Sequence, residues 1–171
     1  MTIEITYEAA GWQGAGFDAL AETAIGETLA HLALQPSDWL VSILACDDAR
    51  IAELNTEFRG KSTPTNVLSW PAQDLAAPHE GDTPATPEPD IFGDDTELGD
   101  IAIALETCTR EALEAGKPLA DHVLHLVIHG VLHLLGYDHI RDKDATLMEG
   151  IEVAILGKLG LPDPYREEHG D

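Results

Sequence analysis

His129, His133 and His139 stand in the run His129-Gly130-Val131-Leu132-His133-Leu134-Leu135-Gly136-Tyr137-Asp138-His139, a spacing that can gather three imidazoles around one metal ion. The first two lie four residues apart, which on a helix stacks them on one face with Cβ atoms roughly 5–6 Å apart. Gly136 permits the reversal that brings His139 toward the same ion from another direction. Three neutral nitrogen donors leave a fourth position open, the arrangement of catalytic zinc; structural sites close with four ligands and are rich in cysteine. This chain has two cysteines, Cys46 and Cys108, far apart and without a C-x-x-C, which suits reduced, buried thiols.

The helix that must carry the first two ligands has more histidine on the same side. His122, His125, His129 and His133 fall at i, i+3, i+7 and i+11, one stripe at about 3.6 residues per turn. Leu126, Val127, Leu132 and Leu134 fill the other directions, so the helix is apolar nearly all round and is expected to be buried. Buried imidazoles need partners. His122 and His125 therefore read as hydrogen-bonded core residues or as residues that support a metal ligand from behind.

The spacing matches the metzincin protease pattern H-E-x-x-H-x-x-G-x-x-H, except that Gly130 stands where the glutamate belongs. That glutamate takes the proton from water in those proteases, and glycine has no side chain to do so, which argues against proteolysis. A second stretch points elsewhere. Asn55-Thr56-Glu57-Phe58-Arg59-Gly60-Lys61-Ser62-Thr63-Pro64-Thr65-Asn66-Val67-Leu68-Ser69-Trp70-Pro71, taken with H-G-V-L-H-L-L-G-Y-D-H, resembles the YbeY family of bacterial metal-dependent endoribonucleases. The resemblance covers about residues 39–160, outside an acidic loop. It implies a zinc-dependent, single-strand-specific endoribonuclease of ribosomal RNA maturation, at the 16S 3′ end, and of ribosome quality control. It also implies one zinc per chain on His129, His133 and His139, and places Arg59 at the RNA phosphate with Lys61 beside it. Gly99-Asp100-Ile101 is similar to the strand motif that the family sets beside the cleft, and Trp70 stands where the family often has Phe.

The chemistry is coherent without a carboxylate base. A zinc ion with an open position lowers the pKa of its water toward about 7 and stabilises charge on a phosphoryl oxygen. The catalytic set expected is thus Arg59 with the three histidines. Arg59 has two readings, a bidentate phosphate contact or a cation at a helix C-terminus worth about 0.3–1 kcal/mol. Asp138 likewise either orients a ligand histidine or caps the turn after Gly136; the former is preferred. Arg141 and Lys143 read as a solvated turn.

Elements that position these residues follow from periodicity and caps. Residues 2–8 alternate like a strand; 17–34 read as a helix; 39–46 form a short apolar strand; Asp47 or Asp48 caps a helix running to about Phe58. A strand at 66–70 ends at Pro71, another spans about 98–104, and helices follow at about 106–115, 118–135 and 145–159, the last capped by Asp144. Four strands and four or five helices without strict alternation predict an α+β fold with one small, four-stranded mixed sheet and a zincin-like three-histidine site. At 171 residues, 44% hydrophobic and with mean hydropathy −0.08, the chain reads as one globular domain spanning 1–171. The N-terminus has no basic lead followed by an apolar run, and no stretch is long and apolar enough to span a bilayer, so a cytoplasmic protein is expected, with no membrane and no DNA among its partners.

Charge cuts against an RNA partner. The formal balance is −23, with 9 Lys and Arg against 32 Asp and Glu, and phosphates bind cationic surfaces. Between Ala72 and Leu98, however, lie eight acidic residues, four prolines and no Lys or Arg, so part of the excess sits in one acidic, Pro-rich loop insertion (72–98) that looks solvated. Arg59, Lys61, Arg141 and Lys143 fall in or beside the two motifs. The resemblance implies ribosomal RNA and the small ribosomal subunit as partners, and the acidic loop would suit basic ribosomal proteins. The same charge supports a rival, a ribosome-associated assembly factor whose zinc is structural and whose intrinsic catalysis is small. A plainer account of the loop is solubility or salt adaptation.

Overall fold

The structure, a computed structural model, describes residues 2–90 and 95–165. Residues 91–94 of the acidic insertion therefore lie outside the described residues, as do Met1 and 166–171. The elements run β1 (Thr2–Tyr7), α1 (Gly11–Gly14), α2 (Phe17–His31), a 3-10 turn at Pro36–Asp38, β2 (Trp39–Cys46), α3 (Asp48–Arg59), β3 (Val67–Pro71), β4 (Thr96–Ala104), α4 (Leu105–Ala115), α5 (Leu119–Leu134) and α6 (Asp142–Lys158). The architecture is α+β with a single four-stranded mixed sheet in the order β1-β2-β4-β3. β1 and β4 run parallel to β2, while β3 is antiparallel to β4.

Strand alternation divides the interior in two. On β2, Trp39, Val41, Ile43 and Ala45 point to one face, joined on β4 by Ile101 and Ile103, and they pack with Ile25 and Leu29 of α2, Val127 and Val131 of α5 and Met148 and Ile155 of α6. The opposite face is smaller. There Leu68, Ala102, Ala104 and Cys46 meet Ile51 and Leu54 of α3. α5 lies within the larger cluster, with Val123, Leu126, Val127, Ile128, Val131, Leu132 and Leu134 all buried, as its all-round apolar sequence predicts.

Asp47 is the cap of α3: its side chain accepts the Arg50 N–H at 2.8 Å. Asp48 is turned to another use, its Oδ1 accepting both the N–H and the hydroxyl of Thr107 on α4. α1 has no counterpart in the sequence reading. It exists because Trp12, fully buried, packs on Phe17 at 4.9 Å and donates its indole N–H to the Cys46 carbonyl, tertiary contacts that local propensity does not encode.

Two corrections concern the region after His139. α6 begins at Asp142, and Asp144 does not cap it; its carboxylate accepts the Gly81 N–H at 2.8 Å and pairs with Arg141. Nor is Arg141 a solvated turn residue: it donates to the carbonyls of Ala77 (3.0 Å) and Pro78 (3.3 Å), while the Lys143 N–H donates to Glu80. The first half of the acidic insertion is thereby pinned to α6, with Leu75 buried beneath it.

Candidate metal centre

His129 and His133 sit one turn apart near the end of α5, their ring centroids 4.5 Å apart. The helix ends at Leu134, and Gly136, at φ +97°, turns the chain back. A side chain there would be strained twice over, by its backbone angle and because a Cβ would lie 2.7 Å from the Leu75 carbonyl carbon. The reversal returns His139 to 5.1 Å from each of the other two rings, and the three potential ligand nitrogens all lie within 4.8 Å of one another.

Hydrogen bonds behind the rings set their tautomers. His129 Nδ1 lies 2.7 Å from Glu152 Oε1, and His133 Nδ1 lies 3.0 Å from the Tyr137 carbonyl. A carbonyl and an ionised carboxylate only accept, so both Nδ1 atoms carry the proton and both Nε2 atoms present lone pairs. Those two Nε2 atoms face each other at 3.0 Å. Two lone pairs at that distance repel unless a cation lies between them, and His139 supplies the third donor that distinguishes a coordinated ion from a shared proton. The residues present therefore fit a divalent metal of the kind imidazole ligates.

Electrostatics agree with that fit. His133 is held down at about 4, chiefly by burial and then by the neighbouring His129 and His139, which keeps its ring neutral and able to ligate. Burial alone would raise Glu152, yet the hydrogen bonds it accepts from His125 and His129 outweigh that and bring it down to about 2. Its side chain is fully buried. Glu152 was absent from the sequence reading. The available signal was an acidic residue within the apolar stripe Met148, Glu152, Ile155 and Leu156 of α6.

The histidines open onto a cleft of about 690 Å³ lined also by Arg59, Lys61, Ser69 and Asp138. Gln73, Asp74, Leu75 and Ala76 also line it, so the acidic insertion borders the site. A model of the Endoribonuclease YbeY family matches residues 3–160. The chain belongs to the YbeY family. The Endoribonuclease YbeY of Ruegeria pomeroyi is 60% identical over 168 residues, covering 98% of this chain and 100% of that one. That of Ruegeria sp. (strain TM1040) is 58% identical, covering 99% of each, and that of Paramagnetospirillum magneticum is 44% identical, covering 98% and 99%. The solution structure of TM1509 from Thermotoga maritima shares the fold, with a TM-score of 0.53 and 24% identity over 93% of this chain and 92% of that one. The match extends through the N-terminal strand and helix, which the sequence reading left outside the resemblance.

Within this YbeY chain each expected site residue has a definite place. Arg59 ends α3 and donates to the Ser69 carbonyl at 3.3 Å while lining the cleft, so its helix-terminal and cleft positions coincide. Lys61 follows the left-handed Gly60 into the same cleft. Asp138 accepts the backbone N–H of His139 at 2.7 Å and thus caps the turn; the group that orients a ring here is the neighbouring Tyr137 carbonyl. His125 stays out of the three-nitrogen group and bonds Glu152 at 3.2 Å, sharing that carboxylate with His129. His122 bonds Glu111 at 2.9 Å; burial lowers it, and Glu111 opposes that effect. Asp100 lies outside the cleft lining, on β4 opposite Trp70.

Proposed function

We propose that this protein is a metal-dependent endoribonuclease that uses one Zn²⁺ to cut single-stranded RNA, and that its substrate is ribosomal RNA at the 16S 3′ end during small-subunit maturation and quality control. The observation that carries the reading is the pair of opposed Nε2 lone pairs, joined by His139, in one cleft with Arg59 and Lys61. The names of the relatives supply the reaction class. A divalent ion bound there supplies Lewis acidity toward a phosphoryl oxygen and lowers the pKa of water.

The chain's own residues do the rest. His129, His133 and His139 would hold the ion at the floor of the cleft that they line. Glu152 and the Tyr137 carbonyl fix two of the rings so that Nε2 faces inward. Arg59 brings a planar fork of N–H donors, one of them on the Ser69 carbonyl, and the remainder suit phosphate oxygens. Lys61 adds a point charge. Gly130 offers no side chain to the cleft, and a Cβ there would meet Ser69 Oγ and Ile101 Cδ1 at 3.2 Å each.

Cleavage of a single-stranded 16S 3′-end fragment, beside the same fragment annealed to its complement, tests this reading. The zinc-loaded protein should cut the single strand, spare the duplex and lose activity on chelation; equal cutting of both, or full activity after chelation, would overturn it. The −23 charge and the acidic insertion beside the cleft favour a second reading, a ribosome-associated assembly factor with structural zinc that docks on a basic ribosomal protein. Under that reading Asp74→Asn, Asp82→Asn and Glu88→Gln together weaken sedimentation with small subunits and leave metal content unchanged. No helix among the described residues is long and apolar enough to cross a membrane, and the proposed place of action is the cytoplasm.

A further inference from the structure

Behind the three histidines the metal centre continues into the segment that follows α6. Glu152 is fully buried, and a carboxylate in that setting persists only when its oxygens are hydrogen-bonded. Its two oxygens are divided. Oε1 accepts from His129 Nδ1 at 2.7 Å and lies 3.2 Å from His125 Nε2, while Oε2 accepts the hydroxyl of Tyr165. Tyr165 also stands edge-on to His125, centroids 5.7 Å apart and planes at 89°, with its hydroxyl 3.3 Å from His125 Nε2.

The segment is built to hold that hydroxyl in place. α6 closes at Lys158, Leu161 N–H bonds the Leu156 carbonyl at 2.9 Å, and Pro162 and Pro164 restrict the backbone on either side of Asp163. Asp163 Oδ1 then accepts the Tyr165 N–H at 2.8 Å, fixing the turn from which the ring projects. A long tyrosine reaching back to a buried carboxylate orders chain at an entropic cost, and that carboxylate in turn bonds His129, whose other nitrogen faces the metal position.

We infer that Tyr165 is a positioning residue of the metal centre, acting through Glu152 to fix the tautomer and orientation of His129. The inference rests on the reading that His129, His133 and His139 bind the ion. Hydrogen bonds to the outer nitrogen of a ligand histidine hold the ring and raise its basicity, and losing such a partner typically weakens metal binding about 10–100-fold. Without the Tyr165 hydroxyl, Oε2 is left buried and without that donor. The carboxylate must then turn, and turning it disturbs the one oxygen that holds His129. The rival view is that Tyr165 only anchors the end of the chain and that Glu152 only ties α5 to α6.

The test uses the full-length chain as wild type, Tyr165→Phe and Glu152→Gln. The zinc dissociation constant is measured by competition with a chromophoric chelator, the visible spectrum of the Co²⁺-substituted proteins is recorded, and the melting temperature is taken without metal. The expected result is zinc binding weakened about 10-fold in Y165F and up to about 100-fold in E152Q, with altered Co²⁺ bands and with the metal-free Y165F melting close to wild type. Wild-type zinc affinity and an unchanged Co²⁺ spectrum in Y165F would overturn the inference, whatever its melting temperature. If E152Q does not fold, Y165F, which deletes one oxygen, decides alone. Absence of zinc binding in the wild type would instead overturn the reading of the three histidines, a result distinct from tight binding that the two variants leave intact.

Discussion

Gly130 shows how one missing atom redirects a familiar ligand spacing. A Cβ at that position would crowd Ser69 Oγ and Ile101 Cδ1 at 3.2 Å, so a larger side chain there must push these neighbours aside. Gly130→Glu should therefore destabilise the fold by about 1–3 kcal/mol without creating peptidase activity, measured by urea unfolding and a casein assay. His133 makes the second prediction. Its folded value, about 4, lies below the ordinary 6.5, so between those values the unfolded chain binds more protons than the folded one. The metal-free protein should hold its full contribution from this group above pH 6.5 and lose it as pH falls toward 4. Glu152, at about 2 against 4.5, extends the loss below pH 4.5; melting temperatures across that range check both. The three histidines were legible because ligand spacing on a helix is local. Glu152 and Tyr165 were not, because their meaning arises only where α5, α6 and the chain end meet, and the preferred reading of Asp138 gave way to a backbone hydrogen bond that a sequence does not display.

The strands, the long helices and their order were readable from alternation, caps and glycines, and the sheet is mixed as four strands without strict alternation required. α1 escaped because its reason is Trp12 in the core, and the start of α6 moved because Asp144 bonds a distant loop instead of its own helix end. That loop is the largest change. Composition alone makes residues 72–98 resemble a solvated tether, yet Arg141 donates to two of its carbonyls and pairs with Asp144, which holds Gly81. Arg141→Ala should release this clamp. Limited proteolysis is expected to cut within residues 72–90 at least several-fold faster than in wild type, while metal content stays the same. Unchanged cleavage would mean that Leu75 and its packing hold the loop unaided.

Across the molecule, the −23 charge opposes long-range attraction to RNA. Binding must then rest on the few cations inside the cleft, Arg59 and Lys61, and two phosphate contacts on a single strand correspond to a slope of log affinity against log salt of about −1.4. Fluorescence anisotropy from low to moderate salt should give that slope or a shallower one; a much steeper slope would show a broad cationic track that this surface does not provide. The central claim is that three histidines hold one catalytic ion. Its most direct test is metal content by mass spectrometry on wild type and His133→Ala, with cleavage of one single-stranded ribosomal RNA fragment followed in both samples. One zinc per chain in the wild type, with metal and cleavage lost together in the variant, is the predicted result; cleavage that persists in a zinc-free His133→Ala protein would contradict the account.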